Sequence, residues 1–396
     1  MKPAQKLAVA ACDDSTDENV QLLRPQLPSA ECILPYLRRI DSNRIYTNNG
    51  PLSTEFECRL AAELALPQVG FAAANSGTAA LIGAILATAG PAAEERPFAL
   101  MPAYTFVATA VAAERCGYRV SLADIDDKSW MLDPERLADH PALTKTGVVI
   151  PVAPFGRPIP QAPWLTFHER TGIPVVIDGA ASFDRIAESP ERHNGAIPVA
   201  LSFHATKAFG TGEGGGVAST DTNLLRLVAQ ALNFGFYGRR DSETPSINGK
   251  MSEYHAAVGL AELDAWQEKR SALRAVNASY RRQLERVGLA HRFSGAPDIS
   301  LGYALFQCGD ENEADRVRDG LQERGIETRL WYGKGLHRQS YLATLPLHTS
   351  LTATDDVAPR VLGLPLAPDL SEQKIARVAS ALAEVTIPVT PALPRQ

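Results

Sequence analysis

Short apolar runs alternate with helical patterns between about residues 70 and 235. The runs PFALM (97–101), GVVIPV (147–152), PVVID (174–178) and PVALSF (198–203) are apolar on both faces and rich in Leu or β-branched residues, which predicts buried strands. Between them Ile82, Ile85, Leu86 and Ala89 recur at helical spacing, and residues 107–116 continue in the same manner. Strands separated by helices predict an α/β fold, a three-layer α/β/α arrangement around a mostly parallel sheet. Ligands bind such sheets beyond the carboxyl ends of the strands, so the loops there are where chemistry is sought.

A long helical pattern follows over about 252–287, with few breakers. Beyond it, ISLGYALFQC (299–308) and IETRLWY (326–332) read as strands, with a helix around 311–324. In a last helix Ile375, Val378, Ala379 and Leu382 form one apolar stripe, and Asp369 or Ser371 is placed to cap it. The tail IPVTPALPRQ (387–396) carries three prolines and reads as irregular surface chain. The expected division is an N-terminal arm with a large domain (1–250), a connecting helix (251–285) and a small C-terminal α+β domain (286–396).

Composition narrows the function. Lys and Arg number 39 against 45 Asp and Glu, a formal charge of −6, so there is no excess of cations to neutralise a phosphate backbone. Hydrophobic residues make up 45 %, too many for a disordered chain. The longest apolar stretch, 79–90, is shorter than the roughly 18 residues of a spanning helix. The apolar segment before Cys12, only 7–11, is short for a signal core of about 7–15 residues. Five scattered cysteines without a C-x-x-C pair suggest neither a disulfide framework nor a zinc site. The expected setting is the cytoplasm, with no metal, nucleic acid or membrane partner.

Four loop segments carry the candidate chemistry. Asn75-Ser76-Gly77-Thr78-Ala79 opens a helical pattern with small residues, so free N–H groups there suit a phosphate; an ordinary capped helix is the alternative. Asp178 ends an apolar strand and runs into Gly179, Ala180 and Ala181. A carboxylate there is a cap or the partner of a buried cation such as a protonated ring nitrogen, the small residues clearing room for a flat ligand. Ser202, His204 and Lys207 follow the next strand and lead into AFGTGEGGGVAS, read as a glycine-rich loop. A lysine in a partly desolvated site loses its proton more readily and can form a Schiff base. The phosphate-loop motif is absent, since Lys207 precedes its glycines. Phe106, after a predicted strand, is a ring that stacks on a planar ligand or fills the core. Gly77, Thr78 and Ser202 as an anion pocket, Phe106 as a stacking ring, Asp178 and Lys207 together match the demands of pyridoxal 5′-phosphate.

The chain also resembles the DegT/DnrJ/StrS-type sugar aminotransferases of the fold type I pyridoxal-phosphate enzymes. The resemblance rests on YTNNGPLSTEFECRLAAEL (46–64), NSGTAAL (75–81), MPAYTFVATA (101–110), IDGAASFD (177–184), SFHATKAFGTGEGGG (202–216) and NGKMSEYHAAVGLAELD (248–264). TRLWYGKGLH (328–337) and LGLPLAPDLSEQ (362–373) extend it to nearly the whole chain. It implies an aspartate-aminotransferase-like large domain and, above all, the branch that forms dTDP-4-amino-4,6-dideoxyglucose.

By motif position the resemblance makes Lys207 the Schiff-base lysine and general acid/base, Asp178 the partner of the pyridine nitrogen, and Phe106 the stacking residue beside Ala180. It makes Gly77, Thr78 and Ser202 phosphate ligands, and it takes Asn248, Gly249 and Lys250 to the phosphate of a neighbouring subunit. A homodimer with shared active sites follows. Relatives carry Gln or His three residues after the aspartate, near the cofactor's phenolic oxygen; this chain has Ala181, with Ser182 beside it. Some family dehydratases replace the lysine with histidine, whereas Lys207 is kept here and His204 lies three residues earlier. The implied reaction is ping-pong amino transfer from glutamate to a nucleotide-linked 4-keto-6-deoxyhexose.

For the sugar nucleotide the resemblance points to Asn233, Phe234, Gly235, Tyr237, Arg239, Arg240, Lys250, Trp331 and His337. Arg239 and Arg240 suit a pyrophosphate or form a solvated loop pair, and His337 alternatively satisfies a core hydrogen bond. A 3-keto sugar or keto-cyclitol acceptor, or a regulatory protein that binds the cofactor without turnover, are the other readings.

Overall fold

The computed structural model describes residues 19–293, 299–345 and 349–386; Cys12 and the tail 387–396 lie outside them. Its strands are β1 (Phe71–Ala74), β2 (Phe98–Pro102), β3 (Arg119–Ala123), β4 (Thr146–Val149), β5 (Ile177–Asp178), β6 (Val199–Ser202), β7 (Gly215–Ala218), β8 (Ala304–Gln307) and β9 (Val361–Leu364). They run β3-β2-β4 and β5-β6-β7-β1, and parallel bridges Val149 to Val175 and Val152 to Asp178 join the two pieces into one sheet. Only β7 opposes its neighbours, antiparallel to both β6 and β1, so the sheet is mostly parallel as the alternation of strands and helices requires. β8 and β9 form a separate antiparallel pair.

The apolar runs 97–101 and 198–203 become β2 and β6 almost residue for residue. The run 174–178 yields only the two-residue β5 plus the bridge at Val175. Three readings need correction. The glycine-rich loop is a strand in its second half, because Gly215 and Gly216 pair with β1 and β6. A side chain at Gly215 would stand 2.6 Å from the Leu201 carbonyl and 2.8 Å from the Gly77 nitrogen, so only glycine lets three backbones meet there. Residues 299–303 turn rather than extend, Tyr303 N–H donating to the Ser300 carbonyl. Residues 326–332 make no ladder: Ile326 bridges Val20 on one side and Arg329 bridges Gly363 on the other, so no partner runs alongside for more than a residue.

Helices α1 (Ala30–Asn43), α2 (Pro51–Glu63), α3 (Gly77–Thr88) and α4 (Val107–Arg115) precede the long helix Glu253–Arg286. α3 and α4 cover the sheet, and residues 79–85 of α3 are buried without interruption. The long helix is capped by Ser252, whose side chain accepts from His255 N–H. Its first residue, Glu253, caps a second helix: the two carboxylate oxygens accept from Leu52 and Ser53 N–H, 2.8 Å each, at the start of α2, which has no side-chain cap of its own. The last helix, Glu372–Thr386, buries the predicted stripe Ile375, Val378, Ala379 and Leu382. Ser371 accepts from Lys374 N–H at its start, while Asp369 pairs with Arg24.

Glu57, on α2, accepts the Ala73 N–H of β1 at 2.8 Å. Burial pushes its carboxyl from 4.5 up to about 7, against that hydrogen bond. Between these values the folded state binds more protons than the unfolded chain, so stability falls as pH rises from about 4.5 to about 7. Glu57→Gln keeps an oxygen for the Ala73 N–H and is expected to remove this slope, adding about 1–3 kcal/mol above the window. Denaturant midpoints measured below and above the window decide it; parallel pH profiles for the two proteins would refute the buried-acid reading.

Candidate active site

A cavity of about 540 Å³ opens at the carboxyl ends of β4, β5 and β6, where Val152, Asp178 and Ser202 reach it. On one side α3 begins. Ser76 caps that helix, its hydroxyl accepting from Ala79 N–H at 3.1 Å. The N–H groups of Gly77 and Thr78, first in the helix, have no carbonyl a turn back within it, and both residues line the cavity. A side chain at Gly77 would stand 2.6 Å from the Ser202 Cβ, so glycine keeps open the notch between helix start and serine.

Asp178 forms the floor. It is only 5 % exposed; its Oδ2 accepts from Thr109 Oγ1 at 2.7 Å and its Oδ1 from Ala180 N–H at 3.1 Å. Burial raises its carboxyl above the usual range, opposed by these two hydrogen bonds and by the charge of Lys207. The carboxylate is thus oriented, and among the described residues it has no cation in contact. Phe106 lines the cavity with 57 % of its surface exposed, unusual for a phenylalanine ring, and Ala180 and Ala181 add no bulk.

Lys207 sits on the loop after β6, its N–H donating to the His204 carbonyl at 2.8 Å and its Nζ to Tyr303 Oη at 3.1 Å. The loop closes on itself through Ala205 to Gly212 and Thr211 to Phe203. It is also held from behind: Gly210 N–H donates to Glu262 Oε1, which forms a buried pair at 2.5 Å with Lys269 on the long helix. Lys269 Nζ in turn donates to the Gln26 carbonyl at 2.7 Å. Tyr303, Arg329, Trp331 and Tyr332 line the same cavity. Tyr332 Oη accepts from Phe155 N–H at 3.0 Å, and burial holds its hydroxyl well above the ordinary range.

Of the residues singled out from sequence, Ser76, Gly77, Thr78, Phe106, Asp178, Ala180, Ala181, Ser202, His204, Lys207 and Trp331 line this one cavity. The candidates between 233 and 250, His337 and Ser182 are not part of its lining. Asn248 lies beside Asn75, whose Nδ2 donates to its carbonyl, and Lys250 Nζ donates to Asn248 Oδ1 while lying 4.3 Å from the Phe234 ring centre. Tyr237 is exposed under Arg226. Arg239 is exposed and paired with Glu243 and Asp241, and Arg240 is exposed. His337 is nearly buried against Asp355 at 2.8 Å, as a structural histidine would be. Ser182, offered beside Ala181, is buried with its hydroxyl lacking a hydrogen-bond partner. Sequence reading missed Thr109, Tyr303, Arg329 and Tyr332. The last two adjoin Trp331 and were within reach of the same motif; Thr109 and Tyr303 sit in apolar runs that read as core.

Among the described residues no helix is long and apolar enough to cross a membrane, and no three His, Cys, Asp or Glu residues are grouped to hold a metal. An amine, a buried carboxylate, a helix start beside Ser202 and an exposed ring thus line one cavity, a set of groups that could hold a planar phosphorylated aldehyde.

The model of the DegT/DnrJ/EryC1/StrS aminotransferase family matches residues 29–383. Protein Rv3402c of Mycobacterium tuberculosis is 31 % identical over 381 residues, 94 % of this chain and 92 % of that protein. The dTDP-4-amino-4,6-dideoxy-D-glucose transaminase of Shigella dysenteriae is 29 % identical over 378 residues, 93 % of this chain and all of that protein. Among solved structures, DesI in the presence of its TDP-sugar product superposes with a TM-score of 0.81 at 29 % identity, covering 93 % of this chain and 94 % of that one.

Proposed function

The chain belongs to the DegT/DnrJ/EryC1/StrS aminotransferase family, and within it we propose a pyridoxal-phosphate enzyme that moves an amino group from glutamate to a nucleotide-linked 4-keto-6-deoxyhexose, dTDP-linked by preference. The observation that carries the reading is Lys207 and Asp178 lining one cavity with the Gly77–Ser202 notch. The residues fit the cofactor on their own chemistry. Asp178 is a buried carboxylate lacking a cation in contact, which a protonated ring nitrogen supplies. The notch at the start of α3 suits a phosphate, and the exposed Phe106 ring offers a face for stacking.

When bound, pyridoxal phosphate supplies an aldehyde to carry the amino group and a ring that takes up charge developing at carbon. Gly77, Thr78 and Ser202 would hold the phosphate, and Phe106 and Ala180 would bound the ring. Lys207 would anchor the aldehyde, and its Nζ, once free, would move the proton at the donor's α-carbon as general base and acid. Asp178, kept in line by Thr109 and Ala180, would favour the protonated ring nitrogen. Donor and acceptor use the site in turn, which is ping-pong behaviour.

The acceptor assignment draws on the similarity to the dTDP-4-amino-4,6-dideoxy-D-glucose transaminase of Shigella and to DesI in the presence of its TDP-sugar product. A second copy is proposed to bring Asn248 and Lys250 to the phosphate, in keeping with their place outside the cavity lining and with the exposed aromatics Tyr46, Phe234, Tyr237 and Tyr254. Glutamate added to the loaded protein is expected to bleach its visible band, and a dTDP-4-keto-6-deoxyhexose to restore it with an aminated product in the mass spectrum. A band indifferent to glutamate argues for a binding protein; restoration by a 3-keto sugar alone moves the acceptor.

A further inference from the structure

Tyr303 is buried to 8 % exposure, its ring edge-on to Phe155 and Trp331 at 5.4 and 5.5 Å between centroids. Such a site allows the ring little choice of rotamer. The turn that carries it is tied down residue by residue. Ser300 N–H donates to the Phe155 carbonyl, and Leu301 N–H donates at 2.8 Å to Oδ2 of the fully buried Asp184. A side chain at Gly302 would come within 3.1 Å of the Ala208 nitrogen, so the turn presses on the loop of Lys207 itself. These contacts bring Tyr303 Oη to 3.1 Å from Lys207 Nζ.

Among the described residues Lys207 is the hydrogen-bond partner of this hydroxyl. Other polar groups of the cavity are engaged elsewhere: Tyr332 Oη with Phe155 N–H, Asp178 with Thr109 and Ala180, and His204 with Thr206. Ala181, on the same cavity wall, brings no polar side chain.

Resting on the function proposed above, we infer that Tyr303 is a catalytic residue whose hydroxyl oxygen accepts from the Lys207 nitrogen, stabilises that nitrogen when protonated and holds the freed amine in place. The hydroxyl keeps its own proton; the proton that travels is the one Lys207 carries. Removing the hydroxyl therefore makes the nitrogen easier to deprotonate and leaves the freed amine less well placed. Asp178, His204, Glu213, Arg329 and Tyr332 also face this cavity, with Tyr104 behind Tyr332, and are the same in both proteins compared below.

The test titrates the visible band of wild type and Tyr303→Phe, both loaded with pyridoxal phosphate; phenylalanine preserves the ring packing. The midpoint in the variant is expected about one pH unit lower, as loss of one hydrogen bond to a charged group implies. Its kcat with glutamate is expected to fall about tenfold to a hundredfold, with KM changed less than about twofold. A midpoint that stays put or rises overturns the inference, as does a variant that no longer takes up the cofactor, which would give Tyr303 a holding role only. A wild type without any such band removes the functional reading itself, and Tyr303 with it.

Discussion

Lys207→Ala protein is expected to fold normally, to lose the visible band that borohydride fixes in the wild type, and to lose at least about four orders of magnitude in kcat. Both the covalent anchor and the proton carrier vanish with one side chain. The fold is spared because the loop is held by backbone hydrogen bonds, by Gly210 N–H on Glu262 and by the Glu262–Lys269 pair, none of which uses the Lys207 side chain. Thermal midpoints of the cofactor-free proteins should therefore agree. Borohydride treatment of the wild type followed by peptide mass mapping should place the cofactor on residue 207. Finding it on another lysine, or substantial turnover in the variant, dismisses the assignment.

Asp178→Asn is expected to keep the fold and most of the cofactor uptake yet to lower kcat/KM about a hundredfold to a thousandfold, the scale of removing one preorganised electrostatic partner. Asparagine still accepts from Thr109 but carries no charge for a ring nitrogen. In the cofactor-free wild type, burial holds this carboxyl above its ordinary range, so its contribution to stability falls as pH rises from the ordinary carboxylate range upward. A bound cation reverses that penalty. The gain in thermal midpoint on adding pyridoxal phosphate should consequently be smaller in Asp178→Asn than in wild type at neutral pH. Equal gains together with unaltered kcat/KM would mean that Asp178 does not face the ring nitrogen.

Signals written over a few neighbouring residues survive into the structure. The apolar runs 174–178 and 198–203 announce β5 and β6, and the candidate residues lie at or just beyond their carboxyl ends, where parallel sheets expose backbone and side chains. The stripe of the last helix and the span of the long helix follow from period alone. Pairing of weak strand formers was not legible. β1 is Phe-Ala-Ala-Ala and β7 Gly-Gly-Val-Ala; each extends because its neighbour requires it, and small residues give little local preference of their own. For the same reason residues 326–332, which look like a strand, have bridging partners at only two positions.

Candidate functional residues divide in a similar way. Gly77, Phe106, Asp178, Ser202 and Lys207 were legible as candidates because each stands at or just beyond an element's end, where a parallel sheet exposes its loops. Thr109 and Tyr303 could not be: a hydroxyl within an apolar run does not alter its period, and the partners are 69 and 96 residues away. Arg239 and His337 show the converse, since their intrachain partners, Glu243 and Asp355, depend on loop paths that residue type does not encode.

From its order of residues alone, this protein was committed to a mostly parallel sheet, a lysine after one strand and an aspartate at the end of another, because hydrophobic period and backbone chemistry act over a few positions. The folded chain decided which distant groups meet them: Thr109 on the aspartate, Tyr303 on the lysine, and Glu262 on the Gly210 N–H behind the loop. Those contacts arise only when packing closes separations of many residues, and no local pattern specifies which hydroxyl or carboxylate will arrive.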